Sequence, residues 1–180
     1  SQNAPLAAKV VDWVMEMSDP NVPKLFKLTG AVTSIGVVLK ALKEVFDKYP
    51  HKKGGITLAN SFPGVWFRPG EKKEWEEGIV YGLSGDGITS ISYLTLCGAA
   101  PYGLEISGNG GPFHYKAACD FLALGCKTVQ FCTLPTKYGL RTIDFLCRGT
   151  SFLMKSRGIK SVKELIGRAL PTPITDFMDL

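Results

Sequence analysis

The chain has no CxxC pair, no run of about 18 uncharged apolar residues and only two histidines. Without paired cysteines the usual zinc and iron–sulfur spacings are missing. The five cysteines (Cys97, Cys119, Cys126, Cys132 and Cys147) are an odd number and signal no disulfide framework. Most sit among apolar residues, where a free thiol behaves as a small hydrophobe, and a reducing, cytoplasmic compartment is the expectation. The lack of a long apolar run predicts no membrane span, and Ser1 to Pro5 lacks the basic and apolar regions of a signal peptide. His51 and His114 fall in different turns without companions at nucleophile or metal spacing, so neither a catalytic triad nor a metal site is expected. The net charge of +5 is spread out, with no basic stripe interleaved with aromatics, and nucleic acid is not an expected partner.

What is present is globular. Of 180 residues, 45% are hydrophobic and 11% aromatic, too many for a disordered tail. Twenty glycines and eleven prolines point to many tight turns between elements. The length falls short of the roughly 200 residues that the smallest complete (β/α)8 barrels need.

Periodicity predicts alternating helices and strands. Ala4 to Met17 is apolar at helical spacing with Pro5 suited to the first turn, and Pro20 and Pro23 stop it. Lys24 to Leu28 reads as a strand and Ser34 to Tyr49 as a helix closed by Gly54-Gly55. Ile56 to Ala59 is the next strand. Asn60 to Val80 reads as a long loop, and a loop of that length within a compact domain is usually functional or mobile. Ile88 to Ala99 (helix), Gly103 to Ile106 (strand), the glycine-rich turn Ser107 to Gly111 and Tyr115 to Leu124 (helix) follow. Thr128 to Cys132 (strand), the turn Thr133 to Thr136 and the helices Gly139 to Ser156 and Val162 to Ala169 complete the pattern. Strands separated by helices run parallel with right-handed crossovers, so the expected class is α/β: four strand–helix units preceded by a helix.

Ligands of such folds bind at the carboxyl ends of the strands. Those ends carry Lys27 and Thr29, Asn60 and Ser61, Ser107 to Gly111, and Cys132-Thr133. A lysine within the apolar Leu-Phe-Lys-Leu run needs an anion or solvent. The Gly108-Asn-Gly-Gly111 turn before a helix suits a phosphate, or is a plain strand-to-helix connection. It is not GxGxxG, and no acidic residue follows about 20 positions on, which disfavours a dinucleotide. Thr133 reads as a helix cap or a ligand contact. Asn60 and Ser61 suit either a local turn or the edge of a heterocycle. Trp66, Phe67 and Trp75 either form a lid or pin the long loop.

The runs Gly108-Asn-Gly-Gly111, Ala117-Ala-Cys-Asp-Phe-Leu-Ala-Leu-Gly125 and Thr128-Val-Gln-Phe-Cys-Thr133 resemble the end of an FMN-binding barrel of the dihydroorotate dehydrogenase superfamily. The Val-Gln-Phe-Cys-Thr strand resembles its dihydropyrimidine dehydrogenase branch. Phe26-Lys-Leu-Thr29, Leu58-Ala-Asn-Ser61, Gly82-Leu-Ser-Gly85 and Lys160-Ser-Val-Lys-Glu-Leu-Ile-Gly167 extend the likeness over nearly the whole chain. The resemblance implies that residues 1–180 form the carboxyl-terminal half of a (β/α)8 TIM barrel, within a longer chain. It implies FMN held by Lys27, Gly85, Gly110, Gly111, Cys132 and Thr133, and a pyrimidine base held by Asn60 and Ser61. The implied reaction is reduction of the 5,6 double bond of uracil or thymine by NAD(P)H through FMN. A dihydroorotate dehydrogenase-like enzyme and a non-catalytic half-barrel binding a phosphate-bearing ligand are the alternatives.

The family's general-acid cysteine is expected upstream of Ser1, so no catalytic residue is assigned within the chain. Gly-Asn-Gly-Gly and Asn-Ser (where the family usually has Asn-Thr) are mild departures, and Arg68 to Glu77 falls where a mobile substrate loop is expected. Iron–sulfur clusters are expected on another domain or subunit. A missing half-barrel, or a second copy of the chain, is the expected partner, because half a barrel leaves two sheet edges open.

Overall fold

A computed structural model of the chain describes residues 3–68 and 77–170. Helix α1 (Ala4–Met17) opens it, with Asn3 Oδ1 accepting the Leu6 N–H and Pro5 in the first turn. Strand β1 (Lys24–Lys27), helix α2 (Ile35–Lys48) and strand β2 (Gly54–Leu58) follow, then β3 (Phe62–Arg68) and β4 (Glu77–Leu83). Next come α3 (Thr89–Ala99), β5 (Ile106–Gly108), α4 (Tyr115–Ala123), β6 (Thr128–Val129), α5 (Thr133–Tyr138), α6 (Thr142–Ser156) and α7 (Val162–Leu165). The main sheet has four parallel strands in the order β1-β2-β5-β6. That is the expected α/β class: a helix, then four parallel strand–helix units forming half of a TIM barrel.

Alternation along the strands sorts two faces. Ile56, Leu58 and Ile106 point at the helices and are buried with Leu39 and Leu42 of α2, Leu96 of α3 and Phe121 of α4. Phe26 packs on the same side, its ring 5.9 Å from that of Phe46. The opposite parity carries polar residues in strict register: Lys27 pairs with Thr57, Thr57 with Ser107, and Ser107 with Thr128. Gln130 crosses this row. Its Nε2 donates to Thr57 Oγ1 at 3.1 Å and to Ser107 Oγ at 2.9 Å, while Thr128 Oγ1 donates to the same Ser107 Oγ at 2.7 Å. A second, smaller core joins Cys119 and Leu122 of α4 to Met154, Ile159 and Leu165.

Several expected boundaries move. The stretch expected as a long loop is an antiparallel hairpin, β3 pairing with β4 from Phe62↔Leu83 to Arg68↔Glu77. Its residues alternate poorly because both faces carry apolar side chains, with Trp66 opposite Ile79 and Val65 opposite Val80. Trp66 and Phe67 lie exposed on β3, whereas Trp75 and most of the Arg68 to Glu77 stretch lie outside the described residues. Gly54-Gly55 belongs to β2 rather than to a helix end. The third parallel strand begins at Ile106 instead of Gly103, because Ala100–Tyr102 forms a 3-10 turn ended by left-handed Gly103. The last strand pairs over only Thr128 and Val129, although the Gln130 N–H still donates to the Gly108 carbonyl at 2.7 Å. Thr133 to Thr136, expected as a turn, begins helix α5. Pro135 falls in its first turn, where a missing N–H is tolerated. The long helix starts at Thr142 rather than Gly139, and the last stops at Leu165 rather than Ala169. Ser1-Gln2 and the tail from Pro171 lie outside the described residues.

Candidate functional site at the carboxyl ends of the strands

The parallel strands all end on one rim, and their tips are stitched together beyond the strands themselves. The Asn60 N–H donates to the Leu28 carbonyl at 3.0 Å. The Asn109 N–H donates to Leu58 O, and the Ala59 N–H donates to Asn109 O, each at 2.6 Å. A cavity of about 220 Å³ opens on this rim. The eight residues that the resemblance assigns to cofactor and base line it: Lys27, Asn60, Ser61, Gly85, Gly110, Gly111, Cys132 and Thr133. Thr29, also named at a strand end, does not; its Oγ1 accepts the Ala31 N–H at 3.1 Å. They come from four strand tips and from the exit of the β3–β4 hairpin, positions far apart in the chain.

Lys27 is exposed at the end of β1, so its ammonium is open to solvent, one of the two conditions an apolar strand lysine requires. Asn60 Oδ1 accepts the Ser61 N–H at 2.9 Å. On the hairpin side, Ser84 Oγ and Thr133 Oγ1 lie 3.4 Å apart, so the end of β4 reaches the start of α5 across the cavity. Gly85 sits against Thr133, whose Cγ2 is 3.3 Å from where a Cβ would stand.

The glycine turn is tightly built. Gly110 and Gly111 have φ values of 98° and 99°, a left-handed conformation that side-chain-bearing residues rarely adopt. A Cβ on Gly110 would stand 2.5 Å from Ser92 Oγ, and one on Gly111 2.5 Å from Thr89 Oγ1. The Gly110 N–H donates to Asn109 Oδ1 at 2.8 Å, while Gly111 N–H has no acceptor among the described residues. Ser92 Oγ, buried behind Gly110, has no hydrogen-bond partner among the described residues. Pro112 and Ile88 complete the wall.

Asn109, Ser84 and Gly82 also line the cavity and were not singled out from the sequence. Asn109 was hidden inside a motif read for its glycines, and the hairpin residues inside a stretch read as loop. His114, by contrast, is a structural cap: its Nδ1 accepts the Lys116 and Ala117 N–H groups at the start of α4. Among the buried thiols, that of Cys126 is pushed up to about 12 by burial against β5.

No family model matches the chain. Among curated proteins, it is 28% identical to the catalytic subunit of dihydroorotate dehydrogenase B (NAD(+)) of Methanothermobacter thermautotrophicus, over 93% of this chain and 54% of that protein. The corresponding subunit of Pyrococcus furiosus is 28% identical over 89% of this chain and 51% of that protein. The NAD-dependent dihydropyrimidine dehydrogenase subunit PreA of Escherichia coli K12 is 36% identical over 36% of the chain and 16% of that protein. The chain is thus similar in sequence to catalytic subunits of dihydroorotate dehydrogenase B and, over a shorter stretch, to a dihydropyrimidine dehydrogenase subunit. It spans about half the length of the dihydroorotate dehydrogenase subunits it matches. Among the described residues no helix is long and apolar enough to cross a membrane.

Proposed function

We propose that the chain is the carboxyl-terminal half of an FMN-binding barrel in a dihydropyrimidine dehydrogenase-like oxidoreductase. The observation that carries this reading is the convergence of all eight residues on one rim cavity at the strand ends. Its described lining residues include a cation, carboxamides and hydroxyls and no carboxylate, a donor set suited to phosphate oxygens and ring carbonyls. The volume of about 220 Å³ is below the roughly 300–1,000 Å³ of a complete small-molecule site, as half of a shared site would be.

These residues fit FMN, which when bound would carry the hydride between NAD(P)H and the pyrimidine. Lys27 would place its ammonium beside the N1–C2 side of the flavin, where reduction adds negative charge. Gly111 would give its free N–H to the phosphate, with Gly110 keeping the turn close and Cys132 and Thr133 closing the opposite wall. Gly85 would admit the cofactor without a side chain in the way. Asn60 and Ser61 would orient the pyrimidine ring. The proton to the substrate would come from a cysteine outside this chain, and electrons from NAD(P)H would arrive through a further domain or subunit, with iron–sulfur clusters where the dihydropyrimidine branch is followed. The other half of the barrel would seat on the outer edges of β1 and β6 and on the exposed apolar faces of the flanking helices, Val10, Trp13 and Met17 on α1 and Phe145 and Phe152 on α6. A cytoplasmic location follows the reduced thiols and the soluble chemistry of this reading.

The test is reconstitution of the 180-residue chain with FMN, desalting, and an absorbance scan. Retained flavin without turnover of uracil is the expected result; loss of all flavin on desalting sinks the reading. The matches that cover about nine-tenths of the chain, all to dihydroorotate dehydrogenase B subunits, favour dihydroorotate as the second substrate candidate. Perturbation of the bound flavin spectrum by uracil but not by dihydroorotate supports the first substrate class, and the reverse supports the second.

A further inference from the structure

Two asparagines on neighbouring strand tips are held in the same way. Asn60 Oδ1 accepts the N–H of the next residue, Ser61, at 2.9 Å; Asn109 Oδ1 accepts the N–H of the next residue, Gly110, at 2.8 Å. Only the oxygen of a carboxamide can accept, so each bond fixes which end of the side chain faces its own backbone. The Nδ2 end of each is thereby turned away from that backbone, and neither Nδ2 donates to any described residue. Both residues line the same cavity, and the tips that carry them are joined by the paired 2.6 Å bonds between Asn109 and Leu58–Ala59. Among the described residues no carboxylate lines the cavity to take up these hydrogens.

We propose that Asn109 is a ligand-binding residue of this site: its carboxamide, locked by Gly110, presents Nδ2–H to an oxygen acceptor of the bound ligand beside Asn60. The proposal rests on the cofactor reading and adds to it a residue that the reading does not use. It also assigns the Gly110 N–H a different task from that of Gly111. Gly110 orients the asparagine, and of the two glycines it is Gly111 whose N–H has no acceptor among the described residues. The acceptor is either a ring carbonyl or a phosphate oxygen, which share the same chemistry toward an N–H donor.

Two variants separate a donor from a mere cap. Asn109→Asp keeps an oxygen to accept the Gly110 N–H but removes the donor and brings a negative charge to the ligand. Asn109→Leu removes both. The 180-residue chain and these variants are followed by thermal unfolding and by titration with FMN, riboflavin and inorganic phosphate. The expected result is an Asp variant that melts within about 2 °C of the unmodified chain, a shift too small for the loss of a cap, yet binds FMN about tenfold more weakly. The Leu variant loses both melting temperature and affinity. A loss shared by FMN and riboflavin places the acceptor on the ring, and one shared by FMN and phosphate places it on the phosphate; either supports the donor. An Asp variant that binds all three probes as tightly as the unmodified chain reduces Asn109 to a cap and overturns the proposal. An unmodified chain that binds none of the three overturns the cofactor reading, and the donor with it.

Discussion

The two faces of the four-stranded sheet are held by different physics. On the helix side, Ile56, Leu58 and Ile106 are buried against α2, α3 and α4, and their contribution is the removal of apolar surface from water. On the other side, Thr57 and Ser107 are equally buried, at 3% exposure each, yet they carry hydroxyls and are stabilised only because Gln130 and Thr128 supply donors. The first face tolerates loss in proportion to volume. The second fails by leaving a partner unsatisfied. The candidate site stands at the edge of the second face, so the polar network maintains the spacing of the tips while the apolar face maintains the fold.

Truncation on the helix side should have the largest effect. Leu58→Ala, at a fully buried position, is expected to cost about 2–5 kcal/mol in urea unfolding. A loss under about 1 kcal/mol would mean that this side collapses freely and that the contrast between the faces is overstated. On the polar side, Gln130→Ala should cost about 1–3 kcal/mol, because the buried Thr57 hydroxyl loses its donor and that of Ser107 keeps only Thr128. Adding Thr57→Val and Ser107→Ala in that background should restore part of the loss, since the two buried hydroxyls are then gone and the Thr128 hydroxyl, on an exposed residue, can turn to water. If the triple variant is weaker than Gln130→Ala, shape rather than hydrogen bonding governs this face.

At the rim itself, Lys27→Ala should change stability by no more than about 0.5 kcal/mol, because the side chain is exposed, while weakening flavin retention. Unchanged retention removes Lys27 from the site. Thiol labelling sharpens the contrast at the smallest energetic scale. Cys132 and Cys147 are exposed and should alkylate readily near neutral pH, with bound FMN slowing Cys132 alone. Cys126 should stay unlabelled until unfolding, its thiol raised from 9.0 to about 12. The sign of the linkage follows. Folding holds this proton more tightly than the unfolded chain does, so its contribution to stability is complete below pH 9.0 and declines as pH rises toward 12. Rapid labelling of Cys126 in the folded chain would show that the core behind β5 opens.

The strand–helix alternation was legible because each buried strand is short and each helix carries a clear 3.6-residue stripe, as in Val38, Leu39, Leu42 and Val45 of α2. The site was legible for a topological reason: parallel strands bring their carboxyl ends to one rim whatever their order, so Lys27, Asn60, Gly110 and Thr133 had to approach one another. The hairpin was not legible. Val65, Trp66 and Phe67 are consecutive apolar residues without a polar partner face, and no two-residue turn marks their reversal. The start of β5 was obscured because Leu104 resembles a strand residue, whereas the buried positions are Ile106 and the residues after it. Asn109 escaped notice because its role depends on which backbone N–H its oxygen meets, and composition carries no record of that.

The stitched tips have one more consequence. Leu28 to Asn60 and Leu58–Ala59 to Asn109 form a continuous chain of backbone bonds across three strand ends, at and just past the last residue of each strand. A ligand that grips both the β2 tip and the glycine turn therefore meets anchor points whose separation folding has already set. Ordering those anchors costs nothing at association, and two weak fragments placed one on each tip gain most when joined by a linker of that fixed span.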